Sequence, residues 1–132
     1  MKDRIYIAQT DMEKLRRIID NRVPVDAEER KNLIRLEEEL DRADVVDAPQ
    51  SNVVTMHSDV RLQDLDTHEI KDYKLVFPGE RVVGANCISV LAPIGTALLG
   101  YSTGATINWP VPRGMRRLKI LKIVQPRVAA TA

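Results

Sequence analysis

The sequence predicts an α+β protein in which a short antiparallel helical hairpin precedes a small antiparallel β domain with one short helix. Residues 1–48 place apolar side chains at helical spacing among many charges, whereas the pattern becomes strand-like beyond Pro49. The formal charge also differs, at −3 for residues 1–48 and +4 for residues 49–132. Such asymmetry indicates two structural units. We therefore assign residues 1–48 to the hairpin and 49–132 to the β domain.

The composition excludes several classes of protein. A chain of 132 residues is long enough to bury a core without a disulfide or a metal, and a lone cysteine cannot form a disulfide within one chain. A net charge of +1 argues against a strongly basic nucleic-acid binder. The sequence has neither an apolar run of about 18 residues nor a secretion signal at its start. We expect a cytoplasmic protein that does not contact a membrane.

The first helix is expected to begin at Thr10, because Glu13 follows at capping-box spacing. Its end is expected just before Pro24, since the residue before a proline avoids the α region. Four apolar residues at a period of 3.6 predict one buried face: Met12, Leu15, Ile18 and Ile19.

The second helix is expected to follow a second capping box, formed by Asp26 and Glu29. At about 18 residues it would be roughly 27 Å long. The loop of residues 21–25 is short enough to make the two helices antiparallel. Apolar residues spaced three, four and three apart predict the narrow seam of a coiled coil: Leu33, Leu36, Leu40 and Ala43.

The second half predicts strands, turns and one short helix. A change of phase between Ile120 and Leu121 in the last strand predicts a β-bulge. Pro93 suits the first turn of a helix, and Gly100 suits its end. The predicted elements are strands Val53–Leu65, Ile70–Phe77 and Cys87–Leu91, helix Pro93–Leu99, and a hairpin of Gly104–Trp109 and Met115–Val124 across Pro110–Gly114.

Acidic residues crowd the predicted tip of the hairpin. Local structure explains about half of them, because acids cap helices and favour helix N-termini. The functional alternative is that free carboxylates at an exposed tip help to hold a divalent ion carried by a partner, since Mg²⁺ prefers oxygen ligands. The candidate tip acids are Asp20, Asp26, Glu28 and Glu29.

No other motif predicts catalysis or a cofactor. His57, His68 and Cys87 lack the spacing of metal ligands, so we expect no metal site and no catalytic residue. A run of basic residues is either a solvated face or a surface that attracts an acidic protein or nucleic acid: Arg113, Arg116, Arg117, Lys119 and Lys122.

Several sequence blocks resemble the Gre transcription elongation factors. Leu91–Gly100, Gly104 and Trp109–Pro112 carry the general likeness, and they stand in the family's order. The family combines an N-terminal coiled coil with a C-terminal FKBP-like domain, so the resemblance implies that fold. Three further blocks look like the short-coil branch of the family, the Rnk type: Leu40–Ala43, Val53–Met56 and Leu75–Pro78.

The resemblance implies a protein that binds RNA polymerase beside its secondary channel and inserts the hairpin there. In Gre factors a Ser-Pro step grips the polymerase rim, and the matching step here is Ala92-Pro93, flanked by Leu91 and Ile94. The replacement of serine by alanine fits the Rnk branch better than the cleavage factors. These four residues are the candidate polymerase-binding residues, and nucleic acid would be met only through the transcription complex.

The length of the hairpin decides which mechanism we expect. Gre cleavage factors resemble a long probe whose tip acids reach the catalytic Mg²⁺, and a helix of roughly 27 Å falls several turns short. We expect a regulator that competes with cleavage factors without stimulating transcript cleavage. A true cleavage factor and an interaction module for another protein, such as a kinase, remain alternatives. A prolyl isomerase, whose pocket is lined by aromatic residues, fits poorly because the chain has five aromatics.

Overall fold

The computed structural model describes residues 4–111 and 114–126, and only the backbone of residues 109–111. It confirms a mixed α+β protein with two N-terminal helices followed by a β-sheet. No helix within the described residues is long and apolar enough to cross a membrane.

The N-terminal half is a helical hairpin closed at its base by two short strands. Strands β1 and β2 pair in parallel, with Tyr6 opposite Asp44, and neither was predicted from the sequence. They hold the start of the first helix beside the end of the second. The elements are β1 Tyr6–Ala8, α1 Gln9–Asn21, α2 Ala27–Arg42 and β2 Asp44–Val46.

The predicted cap of α1 at Thr10 is wrong. The helix begins at Gln9, and Ala8 at its N-cap makes no side-chain capping hydrogen bond. Strand β1 ends at Ala8 and passes directly into the helix, so pairing with β2 sets the start of α1. Tertiary pairing has overridden the local capping signal of Thr10 and Glu13.

Helix α2 follows the sequence prediction closely. The Asp26 carboxylate caps it by accepting a hydrogen bond of 2.8 Å from the Glu29 N–H. The helix has 16 residues, which is about 24 Å and slightly less than expected. The predicted seam faces inward, since Leu33, Leu36 and Leu40 are all buried.

The C-terminal half is a five-stranded sheet in the order β5-β4-β3-β7-β6. Strands β4 and β5 are parallel, and the other neighbours are antiparallel. Helix α3 contacts the two edge strands, β5 and β6. The elements are β3 Asp59–Asp64, β4 Ile70–Val76, β5 Cys87–Ser89, α3 Pro93–Leu98, β6 Thr106–Val111 and β7 Gly114–Val124.

The strand predicted over Val53–Leu65 is wrong in its first half. Val53 makes only an isolated bridge with Ser102, and a turn follows before β3. In that turn the Ser58 hydroxyl accepts a hydrogen bond of 2.9 Å from the Thr55 N–H, and His57 adopts a left-handed φ of 65°. Side-chain bonding to the backbone therefore competes with strand pairing here.

The predicted β-bulge is confirmed. Arg61 of β3 lies opposite Lys122 of β7, but the next residue, Leu62, lies opposite Ile120. Leu121 is thus the extra residue, and it changes which face the β7 side chains occupy. The turn between β6 and β7 is shorter than predicted, since Val111 pairs with Gly114, and residues 112–113 lie outside the described range.

One hydrophobic cluster joins the hairpin to the sheet. It contains leucines from both helices of the hairpin together with residues of β3, β4, α3 and β7. Buried side chains from both sides of the proposed boundary between residues 48 and 49 belong to this cluster. The cluster therefore does not separate two domains, and the boundary stays a prediction. Among its fully buried members are Ile5, Leu15, Leu36, Leu40, Leu98 and Ile120.

Gly100 is a point of close backbone contact between the two halves. Its φ is +84°, and its N–H donates to the Val54 carbonyl at 2.9 Å. Its own carbonyl accepts from the Tyr6 N–H at 3.2 Å. A Cβ at this position would lie 2.8 Å from Ile5 Cβ, so only glycine lets β1 lie this close.

We expect Gly100→Ala to destabilise the fold by about 2–5 kcal/mol. The left-handed conformation costs an L-residue about 1–2 kcal/mol, and overpacking against Ile5 adds about 1–3 kcal/mol. Gly104→Ala is the matched control, because its φ is +92° but nothing lies within 4 Å of its Cβ position. Urea unfolding measures both, and equal losses would contradict a contact with Ile5.

A second prediction concerns acid sensitivity at Asp64, whose side chain is only 3% exposed. Hydrogen bonds from the Arg116 guanidinium at 2.8 Å and from the Asp66 and Thr67 N–H groups hold the pKa of this carboxyl below its usual 3.8. A lowered native pKa contributes stability above the unfolded pKa, and that contribution is lost as the pH falls towards the native value.

We therefore expect wild-type stability to fall more steeply between about pH 5 and pH 3 than that of Asp64→Asn. Urea unfolding across this pH range measures the slope, and the absolute stability of the variant does not enter the comparison. Parallel curves for the two proteins would contradict the assignment.

Candidate functional site

The four candidate binding residues span the tight turn before α3 and the first two residues of that helix. The Ala92 N–H donates to the Ser89 carbonyl at 2.9 Å, and the Leu91 N–H donates to the Ser89 hydroxyl at 3.1 Å. Gly95 completes the turn, since a Cβ there would lie 2.1 Å from the Ser89 carbonyl oxygen. Helix α3 thus lies directly against the end of β5.

The four residues are not equally accessible. Leu91 is only 6% exposed and belongs to the hydrophobic core. Ala92 and Pro93 are half-buried at the surface. Ile94 packs against the core. Ala92, Pro93 and Ile94 are all half-buried, so they are the parts of the predicted site that a partner can reach.

A small cavity beneath Ile94 bears on the isomerase alternative. Tyr73, Leu62 and Leu118 also line it, and its volume is about 30 Å³. Pockets for small-molecule substrates usually measure about 300–1,000 Å³. This cavity is thus nearer to the volume of one water molecule, and it is too small to hold a prolyl substrate.

The tip acids divide into two pairs. Asp26 caps α2, and Glu29 forms an ion pair with Arg22 across the tip. Asp20 and Glu28 are exposed and make no ion pair with another described residue. Of the four tip acids, Asp20 and Glu28 are therefore the two whose carboxylates have no partner among the described residues.

The structure does not assemble the other titratable candidates into a metal site. His57 Nε2 lies 2.9 Å from Glu80 Oε1, Cys87 is a half-buried free thiol, and His68 is exposed with a left-handed φ of 64°. In the part of the chain that the structure describes, no three His, Cys, Asp or Glu residues are close enough to hold a metal.

Polar contacts that the sequence did not predict fix α1 to the body. Asp11 accepts a hydrogen bond of 3.2 Å from the Met56 N–H, and Lys14 Nζ lies 5.8 Å from the centre of the Phe77 ring. Burial raises the pKa of the Asp11 carboxyl, an effect opposed by the Met56 hydrogen bond and the Lys14 charge. These contacts join residues far apart in sequence, so no local sequence pattern predicts them.

Ion pairs neutralise much of the basic run. Arg116 pairs with Asp64 and Arg117 with Asp66, while Lys119 and Lys122 are exposed. Arg113 lies outside the described residues. The paired guanidiniums support a solvated face over a surface for nucleic acid.

The chain matches two family models, which together cover most of its length. Residues 49–125 match the model for the C-terminal part of the GreA/GreB transcription elongation factors. Residues 3–46 match the model of the Rnk N-terminus. The chain belongs to the GreA/GreB family. It is a transcription regulator of the Gre/Rnk type, as the sequence blocks around Leu91–Gly100 indicated.

Individual relatives agree with this placement. The regulator of nucleoside diphosphate kinase of Escherichia coli K12 is 37% identical over 98 residues, covering 71% of this chain and 72% of that protein. The transcription elongation factor GreA of Clostridium novyi is 38% identical over 93 residues, covering 69% of this chain but 58% of its own length. Both are named as regulators or factors rather than enzymes.

A solved structure shares the fold. The GreA/GreB elongation factor of Nitrosomonas europaea is 35% identical and aligns with a TM-score of 0.75 over 93% of this chain and 99% of that one. The Gfh1 protein of Thermus aquaticus, at 21% identity and a TM-score of 0.51, supports the fold alone.

We expect Asp26→Ala to cost about 1 kcal/mol of stability, because it removes the N-cap of α2. Asp20→Ala is the matched control, as its exposed carboxylate has no described partner, and it should change stability by less than about 0.5 kcal/mol. Urea unfolding compares the two. An equal loss in both variants would show that the cap is not what Asp26 contributes.

Proposed function

We propose that the chain binds RNA polymerase at the entrance of its secondary channel and competes with Gre cleavage factors without stimulating transcript cleavage. Membership of the GreA/GreB family supports polymerase as the partner, since the relatives are transcription elongation factors. A factor with this partner acts in the cytoplasm.

The observation that carries the proposal is the short free length of the hairpin. Helix α2 spans about 24 Å, and its base is buried in the shared core through Leu36 and Leu40. Ile18 and the tip residues line one groove together with Pro78 of the body, so little of the hairpin extends beyond the sheet domain. A probe of this length favours contact at the channel entrance over the active centre.

The hairpin itself uses two of the predicted tip acids. Of the four predicted tip acids, Asp26 and Glu29 are already bound within the hairpin. Two exposed carboxylates remain, Asp20 and Glu28. Mg²⁺ is often held in proteins through one or two carboxylates, so these two are the residues that the alternative mechanism would use.

The finer structural assignments form part of this proposal. The buried seam of Leu33, Leu36 and Leu40 is that of a short coiled coil, and the body is an FKBP-like domain. The accessible Ala92-Pro93 step is the element that grips the polymerase, with Leu91 and Ile94 holding it in place from the core.

Binding can be tested at Ala92 without disturbing the fold. Ala92 is the N-cap of α3, where aspartate and serine are both favourable. We expect Ala92→Asp to weaken capture by purified core polymerase at least about tenfold, because an unpaired charge would be buried at the contact. Ala92→Ser is the matched control and should bind as tightly as the wild type. Equal binding by all three proteins would place the contact elsewhere.

The absence of cleavage is tested on backtracked transcription complexes. The wild type should displace a labelled Gre factor, while transcripts are cut only at the intrinsic rate of polymerase. Strong cleavage that is lost in Asp20→Ala/Glu28→Ala would establish the alternative, a true cleavage factor.

A second candidate function rests on the name of one relative, the regulator of nucleoside diphosphate kinase. The chain would then be an interaction module for a kinase. Direct binding of the purified chain to that kinase, with no capture by polymerase, would favour it.

A further inference from the structure

The Thr96 hydroxyl closes the turn that contains the Ala92-Pro93 step. It donates a hydrogen bond of 2.6 Å to the Val90 carbonyl, across the step. Thr96 is only 1% exposed and Val90 is fully buried, so the bond is shielded from water. A buried carbonyl that loses its donor carries an uncompensated desolvation cost. The turn therefore strongly prefers the closed form.

Val90, which accepts this bond, is itself fixed to the sheet. Its N–H donates to the carbonyl of Val76, the last residue of β4, at 2.9 Å. The Thr96 hydroxyl thus links the first turn of α3 to a residue that β4 holds in place. The position of the Ala92-Pro93 step relative to the sheet depends on this link, because the step lies between the two bonded residues.

A second hydroxyl supports the turn from the strand side. Ser89, the last residue of β5, accepts from the Leu91 N–H at 3.1 Å through its hydroxyl. Its carbonyl accepts from the Ala92 N–H at 2.9 Å. Ser89 is half-buried, so water can replace part of what its hydroxyl supplies. We expect this support to be weaker than that of Thr96.

The backbone of Ala92 is already used within the turn. Its N–H is bound to the Ser89 carbonyl, and its own carbonyl accepts from the Thr96 N–H at 3.0 Å. Pro93 has no N–H to donate. A partner therefore meets this step through the Ala92 methyl group and the Pro93 ring, and such a contact depends on shape complementarity. Its strength is sensitive to how firmly the step is held.

We infer that Thr96 is a positioning residue for polymerase binding, whose hydroxyl holds the Ala92-Pro93 step in the conformation that docks. Because Thr96 is buried, it acts through the step. A looser turn occupies the docking conformation for only part of the time, and the apparent affinity falls by that fraction. This inference rests on the proposed function for the partner and for the contact at Ala92-Pro93.

The test measures the dissociation constant for purified core polymerase in four single variants, each shown by circular dichroism to be folded. Thr96→Val removes the hydroxyl and keeps the branched shape, whereas Thr96→Ser keeps the hydroxyl. Ser58→Ala is the matched control, because it removes another buried hydroxyl that holds a turn, the one that accepts from the Thr55 N–H. Ser89→Ala tests the weaker support, and it decides the question if Thr96→Val does not fold.

We expect Thr96→Val to bind polymerase about five- to tenfold more weakly, since the loss of a buried hydrogen bond shifts a conformational equilibrium by about that factor. Thr96→Ser should bind within about twofold of the wild type, and Ser89→Ala about two- to threefold more weakly than it. Ser58→Ala should be less resistant to urea but should bind as the wild type does.

A double variant separates positioning from a general loss of stability. In a chain that already carries Ala92→Asp, adding Thr96→Val should weaken binding by less than about twofold, because the contact that Thr96 positions is already disrupted. If the two losses instead multiply, Thr96 and Ala92 act independently, and the inference is overturned.

The remaining outcomes separate the inference from the proposed function. If the wild type does not bind polymerase, or if Ala92→Asp binds as tightly as the wild type, the proposed contact fails. If that contact holds and Thr96→Val binds like the wild type, the inference alone is overturned. An equal loss in Thr96→Ser would assign the effect to the methyl group, and an equal loss in Ser58→Ala would assign it to stability, so either overturns it. With Thr96→Val unfolded, wild-type binding by Ser89→Ala does the same.

Discussion

The shared core between hairpin and sheet determines how the rest of the molecule is arranged. Leu15, Leu36 and Leu40 of the hairpin pack with residues of the sheet and α3, and the Gly100 backbone lies against β1 without room for a Cβ. Because apolar burial at this junction dominates, the hairpin is held as part of the body. The orientation of the hairpin, and the length that extends beyond the sheet, therefore depend on its packing against the sheet and α3.

The acids at the tip of the hairpin have structural roles as well as possible functional ones. Acids at the end of a hairpin suggest an ion-binding device, yet two of the four stabilise the turn itself. A helix N-terminus needs a cap and favours negative charge, so such acids have a structural use before any functional one. The carboxylates of Asp20 and Glu28 remain exposed, together with the side chains of Val23 and Val25. A regulator that only occupies the channel entrance has no need of metal ligands.

The sequence predicted some residues of the candidate site and missed the contacts that support them. Sequence blocks identified the family and directed attention to Ala92-Pro93, but they could not show that Leu91 is a core residue. Contacts such as Asp11 with Met56 join distant segments, and neither residue carries a local signal of its partner. The strands β1 and β2 are three residues each, too short for a periodic pattern to show.

Local physics was enough to determine the length of α2 to within about two residues, the Asp26 cap, the leucine seam and the bulge at Leu121, because each follows from side-chain spacing or capping within a few residues. The start of α1 and the turn at Thr55–Ser58 were decided by tertiary structure, where strand pairing and side-chain hydrogen bonds outweighed local propensity. The same holds for the position of the tip beside Pro78. Residues far apart in sequence meet only once the core has formed, so their contacts depend on the assembled fold.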